Sequence, residues 1–443
     1  MTDTSAARHG STTADVNDRA SPASWYTVGL LALMYAIHTY DRSVVTAVLE
    51  PIKDEFGLSD TQLGALSGMA FGVAFGIAGI PMGMLVDRLN RARLLAGLLM
   101  TWSGLTALTG FANSFMSLVL MRMGVAAAES GGQPLAMSLI TDTFAPRLRA
   151  LASGLFFAST PAGTLIGFVV TGYVAAHHGW RTAFFVAGVP GILLAVLIWF
   201  TLREPRESRP AAGPAPAPAQ EHATYPLRAV AAYILGQRSL LCIMSGIIMV
   251  SLTSTAFSIW LPSFLIRSHG QDVATAAFLT AIVAGGMGVV SAPLGGLVTH
   301  LLSRSDIRRQ PWSAAAVAAF SVPFMLATFL AESLPVVVAC ACVWTFVTFM
   351  IHAPVYSLCA SLVPPRMRGT TMAILAVLNN VVGYGLGPQI VGILSDLYRP
   401  VAGIEALRYA ILSVAVLKLV SAVLFFASAR HLEAELQRAA TPA

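Results

Sequence analysis

Asp41 and Arg42 stand side by side inside Trp25 to Leu49, an apolar stretch long enough to cross a bilayer. A charge at that depth costs about 2.5–3.5 kcal/mol on insertion scales. Two such charges must face a polar cavity or find partners on neighbouring segments. Of 21 acidic residues, only Asp41 and Glu129 fall deep in an apolar stretch; the bases placed that way are Arg42, Arg122 and Lys418. Arg122 and Glu129 are seven residues apart, so they share one helix face two turns apart. At 1.5 Å per residue, Asp41 lies roughly 24 Å from the inner end of its segment. Arg122 lies about 10 Å below the outer end of a segment running the other way. In a core about 30 Å thick these two share a depth, and Glu129 lies about 10 Å nearer the inner side. His38 is one turn from Arg42. The expectation is a charge ladder of His38, Asp41, Arg42, Arg122 and Glu129.

Two kinds of chemistry fit this ladder. One is a static ion-pair network that fixes helix packing. The other is a proton switch, with Asp41 and Glu129 carrying the proton. A carboxylate whose water access and distance to Arg change between two conformations changes its proton occupancy, and that is coupling. Lys418 reads as a snorkelling or peripheral residue.

The elements that must position these groups are membrane spans. Hydrophobic residues make up 56% of the chain and charged residues 11%, against about 25% charged in a soluble domain. The net charge of +6 does not indicate a nucleic-acid binder, because the basic residues sit in short segments between apolar runs. Cys242, Cys340, Cys342 and Cys359 all fall within apolar runs, which predicts neither a disulfide framework nor a zinc site. Twelve apolar runs are expected near 25–49, 61–82, 93–112, 115–138, 150–174, 182–202, 239–264, 274–300, 313–331, 334–358, 370–393 and 406–428. The fold class is therefore an all-α membrane protein. Expected segments are a disordered N-terminus over 1–23, a six-helix bundle over 24–202, a Pro/Ala-rich linker over 203–237, a second bundle over 238–429 and a tail over 430–443.

Arg residues crowd the segments on the side of the N-terminus, which places both termini and the linker in the cytoplasm of a cell whose inner membrane holds the chain. The halves are related. Pro146-Arg147-Leu148-Arg149-Ala150 precedes the fifth run, and Pro365-Arg366-Met367-Arg368-Gly369 precedes the eleventh. Two parallel six-span repeats with a midplane site are the architecture of the major facilitator superfamily.

Gly83-Met84-Leu85-Val86-Asp87-Arg88-Leu89-Asn90-Arg91-Ala92-Arg93, between the second and third runs, resembles that superfamily's signature loop. The resemblance implies a cytoplasmic gate at Gly83, Asp87, Arg88 and Arg91. Gly83 would permit close helix contact, and Asp87 would sit against a helix N-terminus. The second half carries Gly295-Gly296-Leu297-Val298-Thr299 in that place, with Thr in place of Asp. More closely, the chain resembles the spinster family. The residues are Tyr40-Asp41-Arg42, Glu50-Pro51-Ile52-Lys53, Leu58-Ser59-Asp60-Thr61-Gln62-Leu63-Gly64, Arg122, Glu129-Ser130-Gly131-Gly132, Gly179-Trp180-Arg181, Arg203-Glu204-Pro205 and Gly385-Leu386-Gly387-Pro388. This likeness implies proton-linked movement of lysolipids or sphingolipids.

The second half is polar without being charged. Ser251, Thr255 and Ser258 share a face of one run, followed by Trp260. Trp344, Thr348 and His352 recur at four-residue steps, and Asn379, Asn380 and Tyr384 sit in the eleventh run. These residues either bond helix to helix or line a cavity. A charged first half facing a neutral second half suits an amphiphile, its head by the charges and its tail along the second half. The expected function is proton-coupled transport of an amphipathic lipid by alternating access. The alternative is a proton-coupled symporter in which Arg42 and Arg122 clamp a small organic anion. No nucleophile constellation, metal-ligand cluster or phosphate-binding Gly loop appears at useful spacing. We therefore expect a transporter rather than an enzyme, a monomer among membrane lipids, with no cofactor, metal or nucleic acid.

Overall fold

The structure is a computed structural model, and it describes residues 21–204, 226–291, 294–295, 297 and 308–440. Helix α1 (Pro22–Ala47) starts behind Ser21, whose hydroxyl accepts the Ser24 N–H at 3.2 Å. Pro22 suits the first turn because its missing N–H would be unpaired there anyway. The short α2 (Leu49–Phe56) stops at Gly57, whose φ of 62° is open to glycine at no steric cost. Next come α3 (60–88), α4 (Arg91–Thr109), α5 (Phe115–Glu129), α6 (Gly132–Thr143), α7 (Pro146–His178) and α8 (Trp180–Thr201). The second half follows with α9 (Leu227–Gly236), α10 (Arg238–His269), α11 (Val273–Ser291), α12 (Arg309–Leu330), α13 (Leu334–Ser361), α14 (368–402), α15 (Ala406–Ser428) and α16 (Leu432–Ala440). The segment expected to be linker thus contains a ten-residue helix, α9, and the expected tail contains α16.

Counting α5 and α6 as one interrupted rod, and setting aside short α2, α9 and α16, the described residues make twelve long rods. Eight stretches are apolar enough to cross a membrane by length and composition, one of them holding both α14 and α15. Helices α1, α4 and α5 fall outside that set; α1 and α5 carry the deep charges Asp41, Arg42, Arg122 and Glu129, while Lys418 lies on α15 inside it. In the first half α1 packs along α7, and α4 along α8. In the second, α10 lies on α15, and α12 on α13 and α15. The halves meet along two seams, α3 on α14 and α7 on α11.

Both seams carry π-helical turns, at Ala65–Met69, Ala281–Gly286 and Asn379–Leu386. A π turn inserts an extra residue into the helix and re-aims the side chains around it. Glycine lets the first seam close. A Cβ on Gly68 would stand 2.7 Å from the Gly385 carbonyl oxygen, and one on Gly72 would stand 2.9 Å from the Gly385 Cα. Such backbone approach holds helices together where lipid offers no hydrophobic drive.

At the end of the molecule where α1 begins, Arg91 is fully buried. Its backbone N–H donates to Glu204 at 2.7 Å and its Nη1 to Asp142 at 2.7 Å and Ser138 Oγ at 2.7 Å, while its Nη2 also pairs with Glu204. Ser138 and Asp142 belong to the first half and Glu204 follows directly on the end of α8, so Arg91 braces that half internally. The other expected gate residues, Gly83, Asp87 and Arg88, lie outside the residues whose side chains are described, as does Thr299. In the second half, Glu435 on α16 accepts the N–H groups of Ser239 and Leu240 at the start of α10.

The Arg91 brace carries a stability cost that can be measured. Replacing Glu204 with Ala leaves a buried guanidinium short of a partner, a loss of about 3 kcal/mol. Thermal unfolding in detergent should show a clearly lowered midpoint. An unchanged midpoint would mean Asp142 and Ser138 carry the brace alone.

Candidate functional site

The expected ladder does assemble, with a different wiring. Asp41 and Arg42 are adjacent in sequence, but successive residues on a helix point about 100° apart. Arg42 therefore turns toward α5, where its Nε donates to Glu129 Oε2 at 3.3 Å. His38, one turn earlier, brings Nδ1 to the same oxygen at 3.3 Å. Glu129 is thus the shared acceptor of α1, and its side chain is fully buried. The Tyr35 ring stacks on His38 at 5.1 Å and sets the plane of the imidazole.

Arg42 also lies over three aromatic rings: Phe71 at 4.4 Å, Tyr384 at 4.9 Å and Phe75 at 5.5 Å. Arg122 covers Phe71 as well, at 4.6 Å. The ring faces offer the partial negative charge that two guanidiniums need in a dry site. Asp41 sits apart from this group. It is 1% exposed, and neither carboxylate oxygen has a hydrogen-bond partner. It shares with Arg122, Thr106 and Thr109 a small pocket walled by Val45, Leu118, Val125 and Phe184. The pocket has room for about one water molecule, at ≈ 10 Å³ of space for its centre. Nε and Nη2 of Arg122 are unpartnered too. An unpaired carboxylate and an unpaired guanidinium edge therefore face one water-sized void.

A second, larger cavity of ≈ 420 Å³ lies between the halves. Of the second-half residues named above, Ser251, Thr255, Ser258, Trp344, Thr348, Asn380 and Tyr384 line it, whereas Trp260 lies outside the lining and donates its Nε1–H to the Pro388 carbonyl at 3.0 Å. His352 and Asn379 join them. The helical spacing on α10 and α13 turns these residues one way, and the π turn over Asn379–Leu386 turns Asn379, Asn380 and Tyr384 inward. From the first half come Thr39, Ser43, Thr46, Thr160, Thr164 and Arg42, and Arg42 is the single Arg, Lys, Asp or Glu among the lining residues.

Lys418 is where the sequence reading needs correction. It is not peripheral. It is 0% exposed in the second half, 3.3 Å from the Thr348 hydroxyl and 5.2 Å over the Trp344 ring. A run of apolar neighbours on α15 does not reveal which face of that helix meets α13.

The sequence reading also missed the device that holds the halves together. Arg267, at the end of α10, reaches Glu50 with Nε at 2.9 Å and Nη2 at 2.7 Å, and Asp60 with Nη1 at 2.8 Å. Lys53 and Ser395 also bind the Asp60 carboxylate, the latter at 2.6 Å. In return, Asp396 of α14 accepts the N–H groups of Asp60 and Thr61 at 3.1 and 2.8 Å, an anion at the positive end of α3. Nearby, Glu55 accepts from Arg181 at 2.6 Å and from Trp180 Nε1 at 2.7 Å, which holds its carboxyl below the usual range. Among the described residues, hydrogen bonds and ion pairs between the halves gather at this end. The signal for it in the sequence was slight: Lys53 and Arg267 are among the few bases on the basic-poor side.

Comparison with known proteins matches the Major Facilitator Superfamily model over residues 31–388. An MFS-type efflux pump of Mycolicibacterium smegmatis is 29% identical over 94% of this chain and 96% of its own. A sphingosine-1-phosphate transporter of Danio rerio is 25% identical over 83% of this chain and 75% of its own. The crystal structure of a bacterial homolog to the human lysosomal transporter Spinster, in an inward-facing and unoccupied conformation, superposes with a TM-score of 0.82. It is 25% identical and the match covers 94% of this chain and 99% of that one.

The Arg267 cluster should govern closure of its end. Spin labels at Asp54→Cys and Val401→Cys, with the four native cysteines replaced, report the separation there. Arg267→Ala should broaden the distance distribution toward longer values. A distribution matching that of the unaltered protein would reduce the cluster to a surface ornament.

Proposed function

Because the chain belongs to the Major Facilitator Superfamily, whose members are transporters rather than enzymes, we propose that it is a proton-coupled secondary transporter of an amphipathic lipid, of lysophospholipid or sphingolipid type. The observation that carries this reading is the cavity between the halves. Its first-half wall offers one guanidinium, Arg42, among hydroxyls, and its second-half wall offers Trp344, Phe349, Ile259 and neutral polar groups. Arg matches phosphate geometry, so an anionic or zwitterionic head fits beside Arg42, and an acyl tail fits along the apolar side chains that line the cavity, Ile259, Phe349 and Phe168 among them. The likeness to a sphingosine-1-phosphate transporter supports the same class of cargo.

Coupling follows from the wiring. Asp41 is the proton site, because it is buried, unpaired and beside Arg122 at a water-sized void. Glu129 is the relay, because its charge holds Arg42 and His38. Protonating Glu129 releases Arg42 toward the cavity and the substrate. The two six-helix halves rock about the cavity in alternating access. The Arg267 cluster closes the outer face, and the chain stands inward-facing with both termini cytoplasmic in the inner membrane. It works as a monomer.

Two experiments test this. In proteoliposomes Asp41→Asn should bind substrate yet lose stimulation of flux by a pH gradient; Glu129→Gln should lose gradient dependence only in part. Wild-type gradient dependence in Asp41→Asn would move the proton site elsewhere. Substrate class is read from chain length. Each buried CH₂ is worth about 0.8 kcal/mol, so shortening a single-chain lipid by about four carbons should weaken binding by about 3 kcal/mol. A flat series, with strong binding of a short organic acid, would replace the lipid with a small organic anion.

A further inference from the structure

The chain holds 27 Lys and Arg, and only Lys53 and Lys418 are lysines. Lys53 serves the Arg267 cluster, whereas Lys418 has no carboxylate beside it. Among the described residues of α10 to α15 the one acid is Asp396, and it is engaged with Asp60 and Thr61 at the Arg267 end. The partners of Lys418 are a hydroxyl and a ring face. A buried ammonium without an anion is costly. Lysine suits such a place because, unlike arginine, it can exist there in either protonation state.

What lies in front of Lys418 is the cavity wall on α13. Trp344, Thr345 and Thr348 are 1%, 4% and 3% exposed, and all three line the cavity together with His352. Trp344 Nε1 and Thr345 Oγ1 have no hydrogen-bond partner. Thr348 accepts from Lys418, which leaves its own O–H to point elsewhere. Indole N–H donates only, and hydroxyl and imidazole groups can donate. This wall therefore carries polar groups able to donate, holds no carboxylate among its lining residues and is backed by a cation. Buried polar atoms without partners are rare and call for an explanation.

We propose that Trp344, Thr345, Thr348 and His352, backed by Lys418, form an anion subsite on the second-half wall that takes the oxygens of the substrate's phosphate or carboxylate group. Lys418 is a positioning residue that orients Thr348 and supplies the countercharge. Arg42 meets the same head group from the first half. A phosphate monoester has enough oxygens to engage both walls at once, and that contact ties the halves together through the substrate. The proposal rests on the reading above that this cavity holds the cargo, and it adds a second point of charge recognition.

The test compares two probes with the same long acyl chain, lysophosphatidate and monoacylglycerol, titrated against the full chain in nanodiscs. Lys418→Met should weaken lysophosphatidate about tenfold or more and monoacylglycerol less than about twofold. Thr348→Val should reproduce most of that selective loss, and Lys418→Arg should restore part of the lysophosphatidate affinity. Met fills the space of the buried cation, so the unfolding temperature should not fall. Equal weakening of both probes, or unchanged lysophosphatidate binding in both variants, overturns the subsite while leaving the lipid reading intact. If the unaltered protein ignores both lipids, binds a short sugar acid, and loses that binding in Lys418→Met, the subsite stands and the lipid reading fails.

Discussion

At one end of the molecule a guanidinium ties the two halves of this protein together. Arg267 reaches from α10 to two carboxylates of the first half, Glu50 and Asp60, in forked contacts of 2.7 to 2.9 Å. Charge-assisted forks of this kind are about twice as strong as neutral hydrogen bonds and fix orientation as well as distance. Asp396 answers from the other direction by holding the first N–H groups of α3. The charges on both sides are mostly dry, so losing one partner strands the rest. The glycine contacts of Gly68 and Gly72 against Gly385 extend this closure down the seam toward the cavity.

Below that closure the two walls are built on different principles. The first half spends its charges in pairs. Glu129 collects His38 and Arg42, while the rings of Phe71 and Tyr384 face the guanidinium. Asp41 is left without a hydrogen bond, beside an incompletely partnered Arg122. Two carboxylates on neighbouring helices thus stand in different surroundings, Glu129 with one oxygen held by His38 and Arg42 and Asp41 with neither oxygen held, and such differences divide roles between like groups. The second half offers hydroxyls, amides and an indole, with its one deep cation set back behind Thr348. A polar group that faces lipid cannot be satisfied, so this polarity must point either into the interior of a half, as at Asp41, or into the space between the halves.

Much of this was legible in the chain. Apolar runs of the right length mark the long helices, because a bilayer imposes that length. The paired Pro-Arg-x-Arg segments reveal the repeat. Deep charges in α1 and α5 single out the site, because their cost excludes them from lipid-facing positions. The four-residue steps of Trp344, Thr348 and His352, and of Ser251 and Thr255, place each set on one helix face, and the cavity lies on that face. Helix periodicity is a local property, so sequence reports it faithfully.

Partners are a different matter. Adjacency of Asp41 and Arg42 suggests a pair, yet the helix turns them apart, and Arg42 finds its acid 87 residues away. Arg267 and Glu50 are 217 residues apart, and no spacing rule links them. Lys418 looks peripheral in a run of apolar neighbours and proves to be wholly buried. The sequence by itself determined where the long helices lie, which faces of α10 and α13 are polar and which charges cannot face lipid. Only the tertiary structure decided which charge meets which and which are left unpaired, because those choices depend on how separate helices rotate and pack against one another.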